Sequence, residues 1–327
     1  MSTSAMSAPL TDKEVKAFKR HVTSEQFRQD VLRYSSLRSR HVRHPDNALA
    51  VELLLDDLLE SGGPLTVGTH AFRHQQRIMH NVEAVLPGRR SGEIVVVSAH
   101  LDCTAGEPAF QPRLDTAPGA DDDASGMAGV LAAARTLARL HRDEKEHREI
   151  RFVLFNAEEH RRKGSRRYAK EARHAKIGAV LHMDMIGHNP GSGQPRFELH
   201  TGYSHGLVKS DRNADDELGK KSRKIAELIR DMAGDVSGNL EAQIYPLKPD
   251  DDDPAENLSD HTSFHEVKVP ACLISEDFFY DQGTGSTSSR RNPDYHLRDD
   301  TIENIDFEYG ADIARAVAAA AWHRATR

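Results

Sequence analysis

The chain has 327 residues, 38% of them hydrophobic and 29% charged, with a formal net charge of −7. That composition excludes a disordered or membrane-embedded polypeptide, and the acidic balance argues against a nucleic-acid surface. Two cysteines, Cys103 and Cys272, imply no disulfide framework.

Taken in order, residues 1–20 read as a polar N-terminal tail. They lack the basic-then-apolar pattern of a signal peptide, so a cytoplasmic location with reduced thiols is expected. Ser24 to Leu37 follows as a helix, with Phe27, Val31, Leu32 and Tyr34 at helical spacing. Pro45 to Glu60 carries a second apolar stripe, ended by Ser61-Gly62-Gly63-Pro64. Two antiparallel strands, Leu65 to His74 and Ile78 to Leu86, lead through Pro87-Gly88 into Glu93-Ile-Val-Val-Val-Ser-Ala, a run short enough to be a buried strand. Ala124 to His141 is an Ala/Leu-rich helix suited to close packing on a sheet. Further strands are expected at Glu149 to Ala157, Ile177 to Met185, Arg196 to His200, Ala242 to Tyr245 and Val269 to Ile274. Helices are expected from Gly164-Ser165, over Ser222 to Met232, and over Glu308 to Ala325. Ser204 to Lys220 reads as an exposed excursion, and Asp277 to Asn292 as a loop rich in Gly, Ser and Thr. Many of the 19 histidines lie in Arg-rich stretches that read as solvated surface. This alternation predicts an α/β three-layer sandwich around a mixed, mostly parallel central sheet.

The chemistry-bearing residues fall just after the apolar strands. His100-Leu101-Asp102 ends one of them, and the two-residue period puts His100 and Asp102 on one face. The loop Pro118 to Gly126 then delivers Asp121, Asp122 and Asp123 at a helix start. A helix cap explains such an Asp-rich turn on its own. It does not explain Glu158, Glu159, Asp184 and His296 at or near other strand ends, where open α/β sheets bind ligands. Imidazole and carboxylate oxygen together suit a divalent ion such as zinc. No G-x-S-x-G elbow supports a serine triad. The acidic run Asp250 to Asp253 reads as a solvated loop, with attraction of a cationic amine or side chain as its functional alternative.

His100-Leu-Asp102, Pro118-Gly-Ala-Asp-Asp-Asp-Ala-Ser-Gly126, Ala157-Glu-Glu159 with Gly164-Ser165, Met183-Asp184-Met185, Ser259-Asp260-His261 and Asn292-Pro-Asp-Tyr-His296 stand in a telling order. Together they resemble the co-catalytic zinc aminopeptidases typified by secreted bacterial leucyl aminopeptidases, a family that includes glutamate carboxypeptidase and glutaminyl cyclases. The resemblance runs from about Asn81 to the C-terminus. It implies a zinc-exopeptidase, phosphorylase/hydrolase-like fold, with residues 21–327 as a single catalytic domain. It also implies two zinc ions per chain bridged by Asp122, with His100 and Asp184 completing one site and Glu159 and His296 the other. Asp102 would orient His100, Glu158 would act as general base, and the Asp122–Asp123 bond would be cis. Met185, Asp260, His261 and Tyr295 would belong to the substrate pocket. The implied activity is removal of N-terminal residues from short peptides, with a peptide or aminoacyl substrate and neither nucleic acid nor membrane as partner.

Two other activities fit the same scaffold, a glutaminyl-cyclase-like transfer and N-acyl amino acid hydrolysis. Asp123 counts against the first, because those cyclases place Ser there. A non-catalytic binding protein is the third alternative, and the complete set of five ligands with Glu158 counts against it. The secreted aminopeptidases carry a cystine-bracketed Tyr shortly before Ser-Asp-His. Here Pro254-Ala-Glu-Asn-Leu258 has neither Tyr nor Cys, and Tyr245 lies upstream.

Overall fold

The computed structural model describes residues 7–143, 146–191, 193–202, 212–247, 252–279 and 292–327. Its centre is one eight-stranded sheet: β1 (Thr66–His74), β2 (Arg77–Leu86), β3 (Ile94–His100), β4 (Ile150–Phe155), β5 (Ile177–Met183), β6 (Arg196–His200), β7 (Glu241–Tyr245) and β8 (Ala271–Glu276). Their order across the sheet is β1-β2-β4-β3-β5-β8-β6-β7. The four middle strands, β4, β3, β5 and β8, are mutually parallel. The β1–β2 hairpin joins β4 antiparallel, and the parallel pair β6–β7 joins β8 antiparallel. The sheet is therefore mixed, with a parallel core buried on both faces, as the continuous apolar runs require.

Alternation along the middle strands sorts their side chains into two cores. Val95, Val97, Ala99, Phe152, Leu154, Leu181 and Met183 face one layer, whose helices are α1 (Asp12–His21), α2 (Ser24–Ser35), α3 (Asp46–Glu60), α4 (Gly126–Asp143), α6 (Arg212–Val236) and α8 (Phe307–Thr326). Val96, Val153, Phe155 and Val180 face the other, covered by Tyr168 of α5 (Lys163–Glu171) and Phe264 of α7 (His261–His265). The many alanines of α4 and α8 let these helices lie close against each other and the sheet.

Three expectations need correction. Residues 7–20 are not a polar tail: α1 begins behind a Thr11 cap with a Glu14 capping box, and Leu10 and Phe18 are buried in the core. One apolar residue per turn in a charged helix hides its amphipathic character. The excursion expected over Ser204 to Lys220 is helical from Arg212 onward, as the first turns of α6; residues 203–211 lie outside those described. The Arg-rich stretch after α2 is not solvated surface, because Arg40, His41 and His44 are all buried. The Gly/Ser/Thr-rich loop also falls largely outside the described residues, over 280–291.

Candidate metal centre and active site

The parallel strands deliver the site at their carboxyl ends, the usual place in an open α/β sheet. His100 is the last residue of β3, and Asp184 follows β5 directly. Beyond β4 the chain reverses sharply at Ala157, whose φ of 61° is left-handed. Asn156 holds this reversal. Its N–H donates to Asn81 Oδ1 (2.9 Å), its Nδ2 donates to Asn47 Oδ1 (3.0 Å), and its Oδ1 accepts from the Ala157 N–H (2.9 Å). Glu158 and Glu159 are thereby turned into the mouth of the sheet.

Asp122 arrives from an irregular turn, Ala120–Ser125, that opens α4, and the Asp122–Asp123 peptide is cis as expected. Gly119 enters the turn with φ 54°, and a Cβ there would stand 2.4 Å from the Asp122 carbonyl oxygen. Only glycine fits. The flanking acids hold the turn by accepting backbone N–H groups. Asp123 accepts from His100 (3.0 Å), Gly126 (2.9 Å) and Met185 (3.2 Å), while Asp121 accepts from Gly187 (2.7 Å). Asp300 receives the N–H groups of Asp121 (2.8 Å) and Asp122 (3.0 Å). Asp300 escaped sequence reasoning. Its signal was its place four residues after His296, on the same loop.

Five side chains then converge in two sets that share one member. Ligand atoms of His100, Asp122 and Asp184 lie within 4.8 Å of one another, and so do those of Asp122, Glu159 and His296. His100 Nε2 is 3.1 Å from Asp122 Oδ1 and 3.5 Å from Asp184 Oδ1. His296 Nε2 is 3.1 Å from Asp122 Oδ2 and 3.2 Å from Glu159 Oε2. All five expected ligands are brought together. Behind them, Ser259 donates to Asp184 and sits 2.8 Å from His182 Nε2, whose Nδ1 is 3.1 Å from Ser98 Oγ.

The local charge balance suits a divalent cation. Burial would lower the His100 pKa, yet Asp184 and Asp123 hold it well above the ordinary imidazole value. Burial opposes the His296 proton as well, but bonds to Asp122 and Glu159 push this group up to about 11. Burial, then the Asp122 charge, raises Glu159 to about 7. The two imidazoles hold protons only because the carboxylates crowd beside them, and a cation would neutralise the same crowd while releasing those protons. Imidazole nitrogen with carboxylate oxygen, three groups to each set, matches the donor chemistry of catalytic zinc.

Asp102 does something other than expected. Its carboxylate lies 3.8 Å from His100 Nδ1, which instead meets the Asp102 backbone carbonyl at 3.0 Å. The carboxylate accepts the N–H groups of Glu158 (2.9 Å) and Glu159 (3.3 Å). β3 ends at His100, so strand alternation no longer sets the direction of Asp102. This acid orients His100 through its main chain and the two glutamates through its side chain.

A pocket of ≈ 220 Å³ opens over these groups. Met185 and Tyr295 line it as expected, and the Tyr295 ring stacks on His296 with centroids 3.9 Å apart. Ala255, Leu258, Leu273, Phe278 and Phe279 form an apolar wall that the sequence did not reveal, and Arg161 and Arg162 border it. Asp260 and His261 do not line the pocket. Both are fully buried: Asp260 accepts from Ser165, and His261 stands edge-on to His265 within α7. The apolar anchor of α7, Phe264, turns that short helix inward. Burial, then the nearby Asp260 charge, raises Glu158 well above the ordinary carboxyl value. Tyr245 lies elsewhere, stacked on His200 at 4.9 Å. Of the acidic run, Asp253 is buried against His200 (2.7 Å), which removes it from the cation-attracting reading; residues 250 and 251 lie outside those described.

Residues 81–321 match the family model described as Peptidase family M28. A leucine aminopeptidase 1 of Uncinocarpus reesii is 25% identical over 308 residues, covering 91% of this chain and 69% of that protein. A probable leucine aminopeptidase of Trichophyton verrucosum is 29% identical, over 72% of this chain and 54% of its own length. The chain thus spans between about half and seven tenths of these relatives. Among solved structures, the LapA aminopeptidase of Legionella pneumophila superposes with a TM-score of 0.73 at 19% identity, over 100% of this chain and 78% of that one. A Macrostomum lignano glutaminyl cyclase does so at 0.69 and 18%, over 97% and 94%. Both likenesses establish the fold.

Proposed function

This chain belongs to peptidase family M28, and we propose that it is a zinc-dependent aminopeptidase that removes an apolar N-terminal residue from short peptides. The observation that carries this reading is the shared position of Asp122, one oxygen 3.1 Å from His100 and the other 3.1 Å from His296. A carboxylate presented in that way suits a bridge between two ions. Zinc bound there would supply Lewis acidity, lowering the pKa of a water and polarising the scissile carbonyl.

The remaining work falls to side chains. Glu158 is nine-tenths buried, lines the pocket and is kept basic by burial and by Asp260. A carboxylate with a raised pKa can take a proton from the attacking water and return it to the leaving amine. Asp102 fixes the main chain of Glu158, so the base stays aimed. The wall of Leu258, Phe278 and Phe279 favours an apolar first side chain, supporting a leucine-type preference. The presence of Asp at position 123, where the cyclases place Ser, supports hydrolysis over cyclisation, and three backbone donors hold this side chain in place.

The adjacent glutamates provide the test. Glu159→Ala should lose a metal equivalent and activity together. Glu158→Ala should keep both metal equivalents, while kcat on an aminoacyl-nitroanilide falls roughly 10²–10⁴-fold and KM moves little. Elemental analysis beside steady-state kinetics reads both. Loss of metal from Glu158→Ala but not Glu159→Ala would reverse the pair. Turnover of an N-blocked peptide in preference to the nitroanilide would replace aminopeptidase with amidohydrolase.

A further inference from the structure

Arg161 and Arg162 have no task in the mechanism above, yet both border the pocket. They follow Glu159 by two and three positions, and the turn is closed by the Arg162 N–H donating to the Glu158 carbonyl at 2.7 Å. The roots of both side chains are therefore tied to the backbone of the glutamates. Both residues hold left-handed backbone, with φ 67° and 57°, where glycine is the unstrained choice. Long cationic side chains stand there instead. Arg161 is exposed and has no ion-pair or hydrogen-bond partner among the described residues. Arg162 donates from Nη1 to the Asn257 carbonyl, but its Nε is buried and has no partner among the described residues.

The pocket is thus bipolar. The acids of the metal centre and both arginines line it. A free peptide is bipolar in the same sense, with an amine at one end and a carboxylate at the other. An extended dipeptide spans about 7 Å and a tripeptide about 10 Å. A guanidinium binds carboxylate through two parallel N–H bonds, which rewards a fixed position at a rim. We propose that Arg161 and Arg162 bind a carboxylate of the substrate, so that the enzyme selects short peptides by an anionic group beyond the bond that is cut. This inference rests on the aminopeptidase reading and narrows its substrate class. The carboxylate has two possible sources, the C-terminus of a di- or tripeptide or an acidic side chain.

Four substrates separate the cases on the zinc-loaded full chain: Leu-Gly, Leu-Gly amide, Leu-Glu amide and Leu-nitroanilide. A terminal carboxylate predicts that kcat/KM for Leu-Gly exceeds that for its amide by at least about tenfold, the worth of one charge-assisted hydrogen bond. A side-chain carboxylate predicts instead that Leu-Glu amide outruns Leu-Gly amide. In Arg161→Met/Arg162→Met the favoured ratio should collapse toward one. Should that variant not fold, Arg161→Met alone, at an exposed position, should lower the ratio severalfold, and Arg161→Lys should restore part of it. If Leu-nitroanilide is cut but neither ratio departs from one, or if a ratio survives in the double variant, the arginine inference falls and the aminopeptidase reading stands. If none of the four substrates is cut, the aminopeptidase reading falls. Calorimetric binding of a reduced-bond Leu-Gly analogue, as acid and as amide, then decides the arginine inference: equal affinities overturn it, and tighter binding of the acid that is lost in Arg161→Met supports it.

Discussion

Arg40 offers a stringent test of how the site is held. Its guanidinium is fully buried and meets no carboxylate among the described residues, donating instead to four backbone carbonyls: Leu101 (2.9 Å), Tyr34 (3.2 Å), Pro118 (2.6 Å) and Gly119 (2.8 Å). Leu101 follows His100, and Pro118-Gly119 enters the turn that carries Asp122, so one side chain ties the strand end to that turn. Arg40→Met keeps the length and removes every donor. The Tyr34 and Gly119 carbonyls retain the Leu37 and Ala124 N–H groups, but those of Leu101 and Pro118 receive no other hydrogen bond among the described residues. Two orphaned carbonyls at about 1–3 kcal/mol each amount to about 2–6 kcal/mol. Relief from burying a charge returns part of that, leaving about 3 kcal/mol. Against a typical total of about 5–15 kcal/mol, this is a large fraction. Urea titration of the zinc-free protein should therefore show a clear drop in midpoint, with the m-value kept. Zinc affinity should fall as well, because the two halves of the His100–Asp122 pair lose their tie. Arg40→Lys keeps the charge but lacks the fork, and should recover only part of both. A loss below about 1 kcal/mol, or Lys matching Arg, would refute the argument.

Removal of metal and a change of pH provide the remaining tests. Chelation should lower the thermal midpoint, since an ion bound only by the folded state at a thousand times its dissociation constant stabilises by about 4 kcal/mol; equal midpoints with and without chelator would deny that these acids hold a cation. His200 sits fully buried between Asp253 (2.7 Å) and Glu198 (3.2 Å), with Tyr245 and Phe279 against its ring. Burial opposes its proton, but Asp253 and then Glu198 raise the group to about 9. Its folded pKa exceeds the unfolded value near 6.5, so the protonated ring stabilises fully below about pH 6.5 and that contribution is lost as pH rises through 9. Urea midpoints measured from pH 6 to 10 should fall across that window in the native chain, and His200→Gln should flatten this part of the profile; a parallel fall in both proteins would assign the titration elsewhere.

The candidate metal ligands are legible because each lies at or just beyond a strand end or within a dense motif, and chain order alone brings strand ends together in a parallel sheet. What failed to show were roles that depend on direction. Strand alternation would aim Asp102 at the His100 face, but alternation ceases at His100, and the carboxylate meets the Glu158 and Glu159 N–H groups instead. The Ser-Asp-His context suggests a pocket wall at His261, but α7 is anchored by Phe264 and carries His261 inward. Arg40 looks like solvated surface in Arg38-Ser-Arg-His-Val-Arg43, because nothing in a polar stretch announces four buried carbonyls that need donors. The apolar wall was hidden for a related reason. Leu258, Leu273 and Phe278 come from separate segments with no common spacing, and only the folded sheet makes them neighbours.

The run of three acids shows how the fold sets one of them apart as a candidate ligand. Asp121, Asp122 and Asp123 are all buried, and burial alone raises any carboxyl. For Asp122 that penalty is outweighed, because His100 and His296 bond to its two oxygens and hold it well below the ordinary carboxylate range. Its neighbours find no imidazole at bonding distance among the described residues. Burial keeps Asp123 well above its ordinary value although His100 lies near, and raises Asp121, which shares a hydrogen bond with Glu276. Their oxygens are directed to backbone N–H groups of β3, of α4 and of the segment after β5. The outer two acids thus act as braces that can carry a proton, while the middle one remains an anion exposed to both histidines. Consecutive residues cannot share one direction, so a single ionised carboxylate is presented to the pocket from a sequence that offers three. Position also separates Glu159 from Glu158, both raised by burial: Glu159 lies 3.2 Å from His296, while Glu158 stands beside the charge of Asp260. In both cases the chain places like residues in a row and lets the sheet assign them unlike chemistry.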